Sequence, residues 1–120
     1  MRGMMGMALA GLALSVPMPA SAKFMSLPDL HKACAAEQGS PAFILHYTEC
    51  LQYISGVSDY LDEQRVLEGK HACIPEAMRN FELRQIVLTY LAAHPETWHL
   101  PAPGIVRQAL QQGIPSCNKD

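Results

Sequence analysis

Four cysteines, Cys34, Cys50, Cys73 and Cys117, carry most of the chemistry that this sequence could perform. Thiols can hold zinc, attack an electrophile or pair as disulfides, and the spacing between them separates these uses. No CxxC or HxxxH spacing occurs, so a zinc site has no support and no metal is expected. Asp59, Asp62 and Glu63 lie close together in sequence, but on a helix they spread around its outside. A general acid and base would need a cleft and environments that drive their pKa values apart, so these carboxylates are expected to be solvated surface. His94 and His99 could each serve as a base or a ligand; the plainer expectation is loop histidines bonded to backbone or water. No serine sits in GxSxG and no glycine-rich phosphate loop is present. The pattern predicts neither an enzyme nor a cofactor.

The start of the chain decides the fate of the thiols. Arg2 supplies a positive beginning, Met4 to Val16 is an uncharged and mostly apolar run, and Ala20-Ser21-Ala22 has the small-x-small form of a cleavage site. Residues 1–22 therefore read as a secretory signal peptide. The apolar run is shorter than the roughly 20 residues a spanning helix needs, and no second run follows, so no membrane association is expected after cleavage. The domain proper is 23–120, 98 residues with room for one modest core. Without Arg2 it has eight basic against eleven acidic side chains, a charge of −3 with histidine neutral. Nucleic-acid binding would ask for a clustered basic face, which is absent.

An even number of cysteines in a small exported chain reads as two disulfides. Three pairings are possible. A short link at Gln38 to Ser40 would fold the first helix back along the second, which favours Cys34 with Cys50 and leaves Cys73 with Cys117.

The elements that must place these residues are helices. Phe43, Tyr47, Cys50, Ile54, Val57 and Leu61 recur at steps of three and four and share one face of a long central helix, with Cys50 in its middle. Ser40 as N-cap and Pro41 in the first turn would start it, it is expected to stay regular to about Leu61, and Gly69 would stop any further turn. Gly56 interrupts that helix and predicts a close approach by the first or third helix. Tyr53 and Tyr60 lie on a different face, which could be exposed. Ahead of it, Ser26 and Asp29 have capping-box spacing for a first helix ending at Gly39. A third helix is expected from an Asn80 cap, with Leu83, Ile86, Val87, Tyr90 and Leu91 inward and Pro95 as its end. A fourth opens at Pro103, buries Ile105, Val106, Ala109 and Leu110, and stops at Gly113. No segment alternates with period two. The fold class is thus all-α, a small bundle of four principal helices cross-linked by two disulfides.

One loop offers a surface for a partner. His94 to Pro101 contains the only tryptophan, and Pro95, Pro101 and Pro103 would fix its shape before any encounter. Glu96, Trp98 and His99 are the candidate contact residues, since tryptophan is enriched at binding hot spots. The alternative for Trp98 is a lid folded down over the core.

The ordered set of these features resembles the Rap/Tai family, exported helical immunity proteins against type VI secretion amidase effectors. The resemblance is carried by Cys34; by Cys50 to Asp59, similar to C-x-x-Y-I-x-G-x-x-D; by Cys73-Ile74-Pro75; by Tyr90-Leu91 with His94-Pro95-Glu96; and by Ala109-Leu110 leading to Pro115-Ser116-Cys117. One departure is Ser116, which stands between a proline and cysteine that the family often joins directly. The resemblance implies a periplasmic protein without catalytic activity that binds a peptidoglycan amidase and occludes its cleft, and it implies a homodimer. The alternatives are a periplasmic stress or acid-type chaperone and an orphan helical binding module.

Overall fold

In a computed structural model, the described residues are 25–119 together with Gly3 and Gly11. The expected signal peptide, residues 1–22, lies outside the described run.

Among the described residues four α-helices follow one another: α1 (Leu27–Cys34), α2 (Phe43–Leu67), α3 (Asn80–Ala93) and α4 (Ala102–Gly113). Single 3₁₀ turns at Pro95–Thr97 and Pro115–Cys117 complete the list, and no strand occurs among the described residues. An isolated antiparallel bridge between Ser26 and Pro101 ties the entrance of α1 to the entrance of α4.

Helix α1 starts as its sequence demands. The Ser26 hydroxyl accepts the Asp29 backbone N–H at 3.2 Å, and Pro28 sits in the first turn, where a missing N–H is harmless. Leu27, Leu30, Ala33 and Cys34 face inward. The helix ends at Cys34 and not at Gly39. The α pattern fails at Ala36, whose N–H turns to the Ala33 carbonyl, and the Cys34 carbonyl takes the Arg84 Nε–H from α3 at 2.7 Å.

The link to α2 is correspondingly longer than expected. Ser40 does not cap α2; its hydroxyl donates to the Glu37 carbonyl at 2.6 Å, closing a turn, and Gly39 takes a positive φ of 90°. Ala42 also has a positive φ, 60°, a conformation that side chains rarely adopt, and α2 begins after it at Phe43. From there α2 runs 25 residues, about 37 Å at 1.5 Å per residue. Cys50, Ile54 and Leu61 are buried along its stripe, while Phe43, Tyr47 and Val57 are half-buried at the margins. Ser58, a polar residue on the same buried side, donates its hydroxyl to the Ile54 carbonyl at 2.7 Å.

Helix α3 begins one residue earlier than an Asn80 cap would set it: Asn80 is already helical and Arg79 is the cap. Glu82 closes the start instead, its carboxylate accepting the Arg79 N–H at 2.6 Å. Leu83, Val87, Tyr90 and Leu91 are buried, as are Ala102, Ile105, Val106, Ala109 and Leu110 of α4. Helices α3 and α4 pack together, α1 lies on α2, and α2 touches both later helices. The close approach expected at Gly56 occurs elsewhere. A Cβ at Gly56 would meet nothing within 4 Å, whereas one at Gly113 would collide with the Ile86 side chain of α3. Glycine is therefore needed where α3 and α4 meet, and α2 is open at Gly56.

Both disulfides have the expected partners, Cys34–Cys50 and Cys73–Cys117, and no described cysteine is free. The first staples α1 to α2. The second ties the link after α2 to the tail after α4, where Ile114 is fully buried and Ser116 donates its hydroxyl to the Cys73 carbonyl. Ser116 thus fits beside the bridge by bonding its backbone.

Candidate partner-binding surface

The loop after α3 is held by a series of contacts from His94 to Pro101. The His94 ring stacks on Tyr90 with centroids 4.1 Å apart, and its Nδ1 lies 3.1 Å from the Glu96 carboxylate. Thr97 donates its hydroxyl back to the His94 carbonyl at 2.7 Å, and the Leu100 N–H reaches the Thr97 carbonyl at 2.9 Å. Pro101 is then fixed by its bridge to Ser26. A proline-initiated 3₁₀ turn anchored at both ends loses little entropy when a partner meets it.

The three residues expected to contact a partner are placed differently from one another. Glu96 stands exposed on the turn. Its carboxyl is held below the ordinary glutamate range, first by its own backbone N–H and then by the His94 side chain. His99 is also exposed. Trp98 is half-buried: its indole N–H donates to the Leu91 carbonyl at 2.9 Å, and its ring packs against His31 at 4.7 Å. That is the geometry of a lid, which satisfies a carbonyl in the last turn of α3 and covers α1.

The acidic group on α2 divides in the same way. Asp59 and Glu63 are exposed, as expected, but Asp62 is half-buried and accepts the backbone N–H groups of Cys73 and Ile74 at 2.7 Å and 3.3 Å. One turn on, Arg65 donates Nε–H to the His71 carbonyl at 2.9 Å and a terminal N–H to the Lys119 carbonyl at 3.2 Å. Arg84 spans α1 and α2, bonding the Cys34 carbonyl with its guanidinium 5.4 Å from the Tyr47 ring. These three side chains fix the links between helices. The sequence pattern set Asp62 on the solvated surface and gave no signal for Arg65 or Arg84, because their partners are backbone groups that carry no residue-type signature.

Two apolar depressions remain. One, of about 540 Å³, lies between α2 and the first turn of α4, lined by Tyr53, Val57, Tyr60, Pro103 and Gly104. Tyr60 is exposed, while Tyr53 is half-buried with its hydroxyl shielded and without a hydrogen-bond partner among the described residues; burial pushes its pKa up. The other, of about 420 Å³, runs between α3 and α4 past Ile86, Tyr90, His94 and Gly113. Among the described residues no three His, Cys, Asp or Glu side chains gather where they could hold a metal, and no helix is long and apolar enough to cross a membrane.

A doubly stapled helical domain that holds one loop rigid defines a small binding module. Residues 26–117 match the family model of Rap1a immunity proteins, and the chain belongs to that family. No curated protein and no solved structure matches it. Membership carries an immunity function directed at an effector.

Proposed function

We propose that the mature chain, residues 23–120, is a periplasmic inhibitor of a peptidoglycan amidase delivered by type VI secretion. It acts by occupying the enzyme's cleft and has no turnover of its own. The observation that carries this reading is the anchored turn at residues 94–101, which holds an ionised carboxylate outward on a backbone that needs no rearrangement to enter a cleft. Glu96 and His99 supply its polar contacts, and Trp98 supports the loop from below. Export follows from the 1–22 presequence, and oxidising surroundings are the compartment in which two disulfides persist. A homodimer belongs to the same reading, with the exposed Ile44, Leu45, Val66 and Leu67 of α2 as apolar surface available to a second copy.

The test is to purify the mature chain with candidate amidases from type VI loci and measure binding and peptidoglycan hydrolysis at neutral pH. A stoichiometric complex with loss of hydrolysis is the expected result, and Glu96→Ala should weaken it at least about tenfold with the helical content unchanged. Association that appears only in acid, with no protection from any amidase, would favour a chaperone instead.

A further inference from the structure

The guanidinium of Arg84 is fixed at one edge and unspent at the other. Its Nε–H donates to the Cys34 carbonyl at 2.7 Å, and its Cζ lies 5.4 Å from the centroid of the Tyr47 ring. Those contacts, to α1 and α2, hold a half-buried cation of α3 in place. A guanidinium carries five N–H donors, and with Nε engaged the two terminal amino groups remain, a parallel pair that matches the two oxygens of a carboxylate. Among the described residues neither amino group has a hydrogen bond and the side chain has no ion pair. A cation positioned in this way has already lost the side-chain freedom that binding would otherwise cost.

The surroundings say what sort of carboxylate fits. Arg84 borders a depression of about 430 Å³ together with Ala36, Phe43 and Tyr47, and among the described residues no acid lines it. Phe43 and Tyr47 stack with centroids 5.3 Å apart, both half-buried. Arginine beside aromatic rings is the composition of a protein contact. An acidic side chain with an apolar neighbour fits both parts, whereas a bare inorganic anion would leave the rings uncovered. Position links this depression to the loop. Trp98 packs on His31 of α1, and Arg84 bonds the carbonyl of Cys34, three residues further along the same helix. Three residues advance a helix by about 4.5 Å, so a partner that meets the 94–101 turn has Arg84 beside it.

We propose that Arg84 is a carboxylate-binding site for the effector. It takes a glutamate or aspartate of that protein end-on at its two terminal amino groups, while an apolar neighbour of the acid covers Phe43. The identity of the occupant rests on the inhibitor reading above. The carboxylate chemistry does not, because it follows from the guanidinium alone.

Two blocked tripeptides, acetyl-Leu-Glu-Leu-amide and acetyl-Leu-Gln-Leu-amide, test the site by NMR titration of the mature chain with no amidase present. The glutamate peptide should shift the Arg84 Nε–H and the Phe43 and Tyr47 ring signals, and bind about tenfold more tightly than its glutamine counterpart. Arg84→Lys keeps the charge, loses the paired donors and should remove most of that preference. Because this variant also gives up the bond to Cys34, Ala36→Glu supplies a second test: it leaves Arg84 where it is and sets a carboxylate of the chain's own in the depression. It should lower the affinity for the glutamate peptide about tenfold with the helical content unchanged. Equal affinity for the two peptides, or a glutamate peptide that binds Ala36→Glu as well as the parent, would overturn the site. In complex with an inhibited amidase, Ala36→Glu should weaken binding by a similar factor. An amidase complex of unchanged affinity, or NOEs from Arg84 to a differently labelled second copy, would overturn the effector as occupant. The peptide result is the same whether or not any amidase is inhibited, so loss of the inhibitor reading and loss of the carboxylate site are read separately.

Discussion

The Asp62 carboxylate on α2 accepts the backbone N–H of Cys73 at 2.7 Å and thereby fixes the half-cystine that reaches Cys117. Ile74 N–H shares the same oxygen at 3.3 Å. Two buried or half-buried donors in an irregular link would otherwise lack partners, and hydrogen bonds to a charged acceptor are the stronger kind. Asp62→Ala should therefore destabilise the fold by about 1–3 kcal/mol, read from urea midpoints. Asp59→Ala, at an exposed position one turn away, should shift the midpoint little. Equal effects at the two sites would show that the carboxylate does not anchor the link.

The two staples close loops of unequal length, 16 and 44 residues apart in sequence. On the chain-entropy account, removing Cys34–Cys50 costs about 3 kcal/mol and removing Cys73–Cys117 about 4 kcal/mol. Paired Cys→Ser variants measured by denaturant unfolding should keep that order. A larger loss at Cys34–Cys50 would mean that its place between α1 and α2 matters more than the length of chain it closes.

Glycine has opposite meanings at two positions. Gly113 faces Ile86 so closely that any Cβ would strike it, while Gly56 faces open space. Gly113→Ala is expected to lose about 1–3 kcal/mol through overpacking, although alanine is the better helix former. Ile86→Leu in the same chain, which removes the Cγ2 methyl that the new Cβ would strike, should recover part of the loss. Gly56→Ala should be neutral or stabilising by up to about 1 kcal/mol. Thermal melts of the three variants decide the matter, and a stable Gly113→Ala would show that α3 and α4 can separate without penalty.

Those glycines also show which parts of this fold can be read in a sequence. The stripe from Phe43 to Leu61 identified α2 and its inward thiol because helical periodicity is local. The pairing of Cys34 with Cys50 followed from the short link between two amphipathic helices. Gly56 misled because a glycine within a helix marks a close approach only when a neighbour is there, and the neighbour is a matter of tertiary packing. Ser40 misled for a related reason: a hydroxyl that can cap a helix can also close the preceding turn on Glu37, and local sequence does not choose between them. Asp62, Arg65 and Arg84 act on distant backbone groups, which carry no residue-type signal. On the loop, composition found Trp98 but not its direction, which the Leu91 carbonyl sets.

Glu96 is kept ionised to lower pH than an ordinary glutamate by its own backbone N–H and by His94. A carboxyl whose folded pKa is depressed contributes stability above its unfolded pKa and loses it as pH falls through the folded value. The loop should therefore hold its charge and shape throughout the neutral range and loosen only below the usual glutamate range. The Glu96 side chain is fully exposed, so the effect belongs to the loop and not to global stability. Carboxyl carbon shifts followed by NMR should place the Glu96 midpoint below the ordinary glutamate range, and His94→Asn should raise it. No change in His94→Asn would leave the backbone N–H as the whole cause.

Trp98 separates support of the loop from contact with a partner. Its N–H satisfies the Leu91 carbonyl and its ring covers His31, so the two halves of the side chain can be removed in turn. Trp98→Phe keeps most of the ring and loses the donor, for an expected loss of about 1 kcal/mol. Trp98→Ala loses both, and about 3 kcal/mol is expected, at the low end for an aromatic truncation because the residue is only half-buried. If Trp98 works as a lid, affinity for the effector should fall in step with the stability of the loop, as followed by amide exchange from residue 94 to 100. His99→Ala, at an exposed position of the same loop, should weaken binding while leaving that exchange unchanged. A Trp98→Phe variant that exchanges like the parent but binds at least about tenfold more weakly would instead place the indole N–H in direct contact with the partner.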